Sequence, residues 1–191
     1  MRIQQAIQES IQVKQQILAD TTLLDTIQKA VDAIVGAYKN NHRVFFCGNG
    51  GSAADAQHLA AELSGRFYFD RPSLSAEALH CNTSYLTAVS NDYGYDDVYA
   101  RLMQGTAVKG DVLIGLSTSG NSVNILKAFD VAISKEITTI ALTGLSGGKL
   151  KSKANYLLQV PSEDTARIQE SHILMGHIIC ELVEAKLFEK K

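Results

Sequence analysis

His58 and Glu62 are four residues apart, so on a helix they share one face, an imidazole beside a carboxylate. Such a pair can move a proton or hold a cation. Alone it reads as a solvated surface contact worth a few tenths of a kcal/mol. What precedes it changes the reading. Val44 to Cys47 is apolar and short, Gly48-Asn49-Gly50-Gly51 follows, and Ser52 is placed to cap a helix from about Ala53 to Leu63. The glycines let a ligand approach the backbone, and a helix start is an anion site. One element therefore offers a phosphate cradle and, further along, an imidazole and a carboxylate.

A second loop repeats the theme. Ser117-Thr118-Ser119-Gly120-Asn121-Ser122 sets four hydroxyls around a glycine between an apolar strand and a helix. Hydroxyls and helix N-terminal amides can together satisfy a phosphate. One such loop reads as an ordinary Ser/Thr-capped turn; two at strand ends in one small sheet point to a phosphorylated ligand. With no basic cluster beside them, a phosphomonoester fits better than a polyphosphate. The last helix adds Arg167, Gln169, Glu170, His172 and His177 to an otherwise apolar element. Gly48, Gly50 and Ala53 satisfy the dinucleotide pattern G-x-G-x-x-A, but the acid it needs at the end of the next strand is missing, since Asp70 precedes that strand. No GK[ST] follows either, so the loop is not a nucleotide-triphosphate P-loop.

The elements that carry these loops alternate. Two helices span residues 2 to about 40, broken at Asp20-Thr21-Thr22. Strands are expected at 44–47, 76–81, 112–116, 138–143 and 156–160. Helices follow the glycine turn, start from a cap at Thr83 or Ser84, and run over 97–108, 123–134 and 165–188, with 91–96 read as a turn and 67–75 as a loop. This predicts an α/β fold, a three-layer αβα sandwich with a mainly parallel sheet of about five strands plus N-terminal helices. Ligands in such sheets bind beyond the carboxyl ends of the strands, where both loops lie. Residues 1–191 read as a single domain, with 1–40 an N-terminal helical arm packing on the core or on a neighbouring subunit.

Composition narrows the classes. The chain is 46% apolar and 20% charged with net charge −2, which gives no basic footprint for nucleic acid. No apolar run reaches the roughly 20 residues that span a bilayer, and Met1-Arg2-Ile3-Gln4-Gln5 lacks a signal-peptide block, so a cytoplasmic location is expected. Cys47, Cys81 and Cys180 lack CxxC spacing and read as small apolar side chains.

In order along the chain, Cys47-Gly48-Asn49-Gly50-Gly51-Ser52, Asp55-Ala56, His58, Glu62, Gly65-Arg66, Asn91-Asp92, Ser117 to Ser122, Thr143-Gly144, Gly147-Gly148, Arg167-Ile168-Gln169-Glu170, His172 and His177 resemble the phosphoheptose isomerases of the sugar isomerase (SIS) fold, a flavodoxin-like architecture. The resemblance covers essentially the full length. It implies conversion of sedoheptulose 7-phosphate to D-glycero-D-manno-heptose 7-phosphate, opening bacterial heptose synthesis for lipopolysaccharide core or related surface glycans. It also implies a homotetramer with active sites shared between subunits and one zinc per subunit. By position, Asn49, Gly50, Gly51 and Ser52 would contact substrate, as would Glu62 and Gln169. Ser117, Thr118, Ser119 and Ser122 would hold the phosphate, and Asn91 and Asp92 the sugar hydroxyls. Glu62 and His177 would be the acid/base pair, and His58, Glu62, Gln169 and His177 the metal ligands. Some relatives carry an acid immediately before the Arg of the Arg-Ile-Gln-Glu segment; this chain has Ala166, with Asp164 out of register.

Moving a carbonyl between C1 and C2 needs a base for a carbon-bound proton and an acid for the carbonyl oxygen; a carboxylate and an imidazole supply both through an enediol. Helix geometry adds a constraint. Gln169 and His177 are eight residues apart, about 12 Å of rise on a straight helix. Two ligands of one ion lie about 3–4 Å apart. Either the last helix begins after Gln169, or one of the two ligands comes from a neighbouring subunit. The rival readings are a non-catalytic SIS protein that binds a sugar phosphate or associates with a replication initiator, and an isomerase of the same fold acting on another sugar phosphate. Glu62 and His177 argue against the first, because such relatives lack both.

Overall fold

The computed structural model describes residues 1–188. Helix α1 (Arg2–Ala19) and helix α2 (Thr21–Lys39) lead into strand β1 (Val44–Gly48) and helix α3 (Gly51–Ser64). Strand β2 (Ala76–Ala78), helix α4 (Thr83–Tyr93) and helix α5 (Val98–Thr106) follow. Strand β3 (Val112–Ser117), helix α6 (Val123–Ser134), strand β4 (Thr138–Thr143), strand β5 (Tyr156–Gln159) and helix α7 (Thr165–Phe188) complete the chain. The strands lie in the order β2-β1-β3-β4-β5 and every neighbouring pair is parallel. The chain reverses its direction of travel across the sheet between β1 and β3, the switch point at which α/β sheets open a crevice for ligands. The loops after β1 and β3 are the glycine turn and the serine loop.

A parallel sheet covered on both faces needs strands apolar at every position. All five residues of β1 and all six of β3 are buried. Alternate side chains serve opposite layers. Val44 and Phe46 join a core with α2, α3 and α7, whereas Phe45 and Cys47 join one with α5 and α6. Helix α2 buries Leu23, Ile27, Ala30, Val31, Ile34 and Val35. Helix α1 buries only Val13 and Ile17 and leaves Ile3, Ile7, Ile11 and Leu18 exposed.

Local chemistry sets most boundaries. The Asp20 carboxylate accepts from the Leu23 amide at 3.0 Å, separating α1 from α2. Asp164 caps α7 by accepting from the Ala166 and Arg167 amides at 2.8 and 3.2 Å. Three expectations need correction. Helix α3 starts at Gly51, not Ala53: Gly50 takes φ +57°, bends the chain early, and its carbonyl accepts from Ala53 and Ala54, so Ser52 lies inside the first turn and caps nothing. Helix α4 is capped by Asn82, whose side chain accepts from the Tyr85 amide at 3.0 Å, rather than by Thr83 or Ser84. It also continues through Asn91 and Asp92 to Tyr93, so those two residues sit in a last helical turn and not in a loop.

Candidate active site

Helices α3 and α7 pack side by side, with Gly176 seated on Leu59: a Cβ there would lie 2.5 Å from Leu59 Cδ1. This contact brings the next residue, His177, over the His58–Glu62 face. The His58 and His177 Nε2 atoms are 2.9 Å apart, and His58 Nε2 is 3.2 Å from Glu62 Oε1. Each of the three side chains offers a ligand atom, all within 4.8 Å of one another, and they form the one such group among the described residues. Two ring nitrogens 2.9 Å apart beside a carboxylate share a proton in one pair of tautomers and turn two lone pairs to one point in the other. Ligands of a tetrahedral ion with bonds near 2.0–2.1 Å lie roughly 3.3 Å apart, so this spacing fits a divalent metal ion held by two imidazoles and a carboxylate, the pattern that leaves a coordination position open.

Phe67 closes one side of the triad, with its ring centroid 5.7 Å from that of His177. A buried ion pair holds its loop in place. The Glu184 carboxylate accepts from the backbone amides of Phe67, Tyr68 and Phe69 at 2.9, 2.6 and 2.9 Å and from Arg71 Nε at 2.8 Å. Burial would raise the Glu184 carboxyl, but these four donors outweigh it and hold the group below the ordinary glutamate range. Asp55 lies one turn before His58 on α3. Its Oδ2 is buried and has no hydrogen-bond partner among the described residues. Burial raises its carboxyl, opposed by His58 and His177. Sequence reasoning noted Asp55 only as a motif member, and one signal for it was available: it shares the helix face of His58 and Glu62.

Gln169 lies at the other end of the α3–α7 seam. A Cβ on Gly51 would come within 2.8 Å of Gln169 Nε2, so the amide rests directly on the glycine turn. Helix α7 runs unbroken through Gln169 and His177. The first of the two alternatives for the metal ligands, a helix beginning after Gln169, is therefore ruled out. Within one chain the structure groups His58, Glu62 and His177 and leaves Gln169 two turns away.

The serine loop stands across the switch point. Ser117, at the end of β3, is buried, and its Oγ lies 3.0 Å from Ser122 Oγ. Ser122 sits at the start of α6 without spending its hydroxyl on a capping bond. Ser119 is exposed and Thr118 half-buried. A Cβ on Gly120 would fall 2.1 Å from the Gly147 carbonyl, so the serine loop crosses the Gly147-Gly148 turn at backbone contact. Leu150 N bonds to the Gly120 carbonyl at 3.1 Å and Lys149 N to Asn121 Oδ1 at 3.0 Å, bracing that crossing. In the glycine turn Ser52 is 4% exposed and faces inward, while Asn49 is half-buried. Asn91 donates to Asp92 at 2.9 Å, and both are exposed. Tyr95, three residues later, donates to Asn49 Oδ1 at 3.2 Å, which brings the end of α4 to the border of the cleft.

The chain thus carries a hydroxyl-rich loop after β3 and a carboxylate–imidazole group on the α3–α7 seam. It can bind a phosphate and move protons on a molecule that reaches between them. A SIS domain family profile matches residues 7–144. The chain is 54% identical to phosphoheptose isomerase 2 of Campylobacter jejuni over 182 residues, 95% of this chain and 90% of that one. It is 50% identical to the phosphoheptose isomerase of Aneurinibacillus thermoaerophilus over 189 residues, 99% and 96% of the two chains. The structure of phosphoheptose isomerase from Neisseria gonorrhoeae superposes with a TM-score of 0.90 at 41% identity, covering 96% of this chain and 97% of that one.

Proposed function

The chain belongs to the phosphoheptose isomerases, a family built on the SIS domain, and from that premise we propose that it converts sedoheptulose 7-phosphate to D-glycero-D-manno-heptose 7-phosphate through an enediol. The chain is an aldose–ketose isomerase. Its product opens bacterial heptose synthesis for lipopolysaccharide core or a related surface glycan.

Ser117, Thr118, Ser119 and Ser122 bind the phosphate, and Asn49, Gly50 and Gly51 line the approach from the glycine turn, with Ser52 packed inward behind them. Asn91 and Asp92 take the sugar hydroxyls. This anchoring fixes which carbon meets the triad, converting an encounter into a positioned reaction. The Glu62 carboxylate removes the proton from the carbon beside the carbonyl, and His177 protonates the carbonyl oxygen. Each then reverses its role to deliver the aldose. Phe67 shields His177 from water on one side. His58, Glu62 and His177 would hold one zinc per subunit, with Gln169 of a neighbouring subunit completing the set. When bound, the ion would polarise the substrate carbonyl and favour the enediolate.

The protein acts as a homotetramer whose sites draw residues from more than one subunit. The exposed row Ile3, Ile7, Ile11 and Leu18 on α1 supports this, because a second chain would remove it from water. No helix among the described residues is long and apolar enough to cross a membrane. Its three cysteines are unpaired, which suits the reducing cytoplasm, where we place it.

The observation that carries the reading is the convergence of His58, Glu62 and His177 on helices α3 and α7, in a sheet with hydroxyl- and glycine-rich loops at two strand ends. A SIS protein that only bound sugar phosphates would have no use for that convergence. Turnover of sedoheptulose 7-phosphate by the native chain and by Glu62→Gln tests it. Aldose formed by the first and reduced by at least about a hundredfold in the second is expected for loss of a general base. A folded native chain that binds the sugar phosphate without converting it would favour the binding-protein reading.

A further inference from the structure

We propose that Asn124 and Tyr95 are positioning residues that hold the Asn49 side chain as a donor-only amide in the cleft. Asn49 directly follows β1 and Asn124 lies in the first turn of α6, after β3, so the pair bridges the sheet's switch point. The two amides bond reciprocally: Asn49 Nδ2 donates to Asn124 Oδ1 at 2.9 Å, and Asn124 Nδ2 donates to Asn49 Oδ1 at 2.9 Å. The flip of such a pair is fixed by an unambiguous neighbour. Here that neighbour is a backbone amide, Ile125 N, which donates to Asn124 Oδ1 at 3.0 Å. A backbone N–H cannot accept, so this atom of Asn124 must be the oxygen. Its Nδ2 therefore faces Asn49 Oδ1, and the Asn49 orientation follows.

The remaining valences give the consequence. Asn49 Oδ1 accepts from Asn124 Nδ2 and from the Tyr95 hydroxyl at 3.2 Å, which fills both its lone pairs. Asn49 Nδ2 has spent one hydrogen on Asn124. The second N–H makes no bond among the described residues. Asn124 is 2% exposed, so the pair is shielded from competing water on that side. The strand end beneath Asn49 is itself pinned, because the Tyr99 hydroxyl donates to the Gly48 carbonyl at 2.5 Å. Asn49 thus presents a single N–H to a ligand. It selects an oxygen with a free lone pair, such as a carbonyl, an enediolate or an accepting hydroxyl. A protonated amino group at the same place would meet it donor to donor.

The inference rests on the isomerase reading for its substrate, and the test separates the two. Asn124→Asp is nearly isosteric and still accepts from Ile125 N, but it sets an oxygen against Asn49 Oδ1 and breaks the reciprocal pair. The variants are Asn49→Ala, Asn124→Asp and the double variant, each checked for folding by thermal denaturation, with kcat/KM for sedoheptulose 7-phosphate and inhibition by inorganic phosphate as readouts. One hydrogen bond to the ligand corresponds to a loss of about tenfold. Asn49→Ala and Asn124→Asp are each expected to lose about tenfold, and the double variant no more than Asn49→Ala alone, because Asn124 acts through Asn49. Inhibition by phosphate stays at the native level. Tyr95→Phe loses about threefold, and loses nothing in the Asn49→Ala background. Losses that multiply to about a hundredfold in the double variant, or native kinetics in Asn124→Asp, would overturn the inference. If the native chain fails to turn over this substrate, the isomerase reading falls by itself, and the same cycle read by calorimetric binding of the sugar phosphate decides the role of Asn124.

Discussion

The placement of Gln169 has a consequence that can be tested by mixing subunits. Helix α7 is continuous from Thr165 to Phe188, and Gln169 and His177 stand eight residues apart on it. At 1.5 Å per residue that is about 12 Å, against the roughly 3.3 Å that separates two ligands of one zinc. Gln169 lies against Gly51 while His177 lies against His58. Within this chain the two side chains therefore rest at opposite ends of the seam, and a Gln169 that ligates the metal would serve a neighbour's site. Consider Gln169→Ala and His177→Ala chains, each inactive alone. A site whose His177 comes from the first chain and whose Gln169 comes from the second contains neither lesion. With equal amounts and random assembly, about one site in four meets that condition, from two independent chances of a half in a closed oligomer. Differently tagged variants are co-expressed, doubly purified, and assayed for turnover and zinc content. Activity near a quarter of native per site is expected. Activity no greater than that of the separate parents would refute the reasoning and leave Gln169 with only its contact to the glycine turn.

Three further outcomes are expected. Glu184→Ala leaves Arg71 buried without its partner and should cost about 3–5 kcal/mol in denaturant unfolding. The lowered Glu184 carboxyl stabilises the fold fully above the ordinary value of 4.5, and that contribution disappears as pH falls through the lowered folded-state value. His172 is fully buried, and burial lowers its imidazole to about 4 from 6.5, partly offset by the Thr143 backbone. Because the unfolded chain binds the extra proton between those values, stability should fall by about 1.4 kcal/mol per pH unit from 6.5 towards 4, and His172→Leu should flatten that slope in urea titrations. Ile7→Glu places a charge in the exposed α1 row, and sedimentation should report smaller species than the proposed tetramer formed by the native chain; an unchanged assembly would place the interface elsewhere.

Much of the fold was legible because the strands are short apolar runs closed by glycine or by Ser/Thr clusters. The bounds of β4, α6 and α7 read from sequence coincide with those observed. The misreadings have local causes. Asn91 and Asp92 are turn formers by composition, yet a last helical turn tolerates them, so α4 was read too short. Ser52 looked like a cap because the positive φ of Gly50, which starts α3 early, leaves no signature beyond the glycine itself. Asp164 stands two residues before Ala166, and its carboxylate caps α7. The elements that position the site were the least legible. Glu184 and Arg71 are 113 residues apart, and Asn49 and Asn124 are 75 apart. Neither pairing follows a helical or strand period, so only the folded chain brings them together. The Gly176–Leu59 contact that seats His177 over His58 is of the same kind: a glycine in an apolar helix announces close packing but not its partner.

The most direct test of the account is the fate of the carbon-bound proton. Sedoheptulose 7-phosphate is turned over in deuterated water by the metal-replete native chain and by Glu62→Gln, and the heptose 7-phosphate is read by NMR for deuterium at C2. The account predicts aldose labelled at C2 from the native enzyme, and in Glu62→Gln the loss of both label and product with sugar-phosphate binding retained. Labelled aldose from Glu62→Gln at the native rate would contradict the assignment of Glu62 as the base.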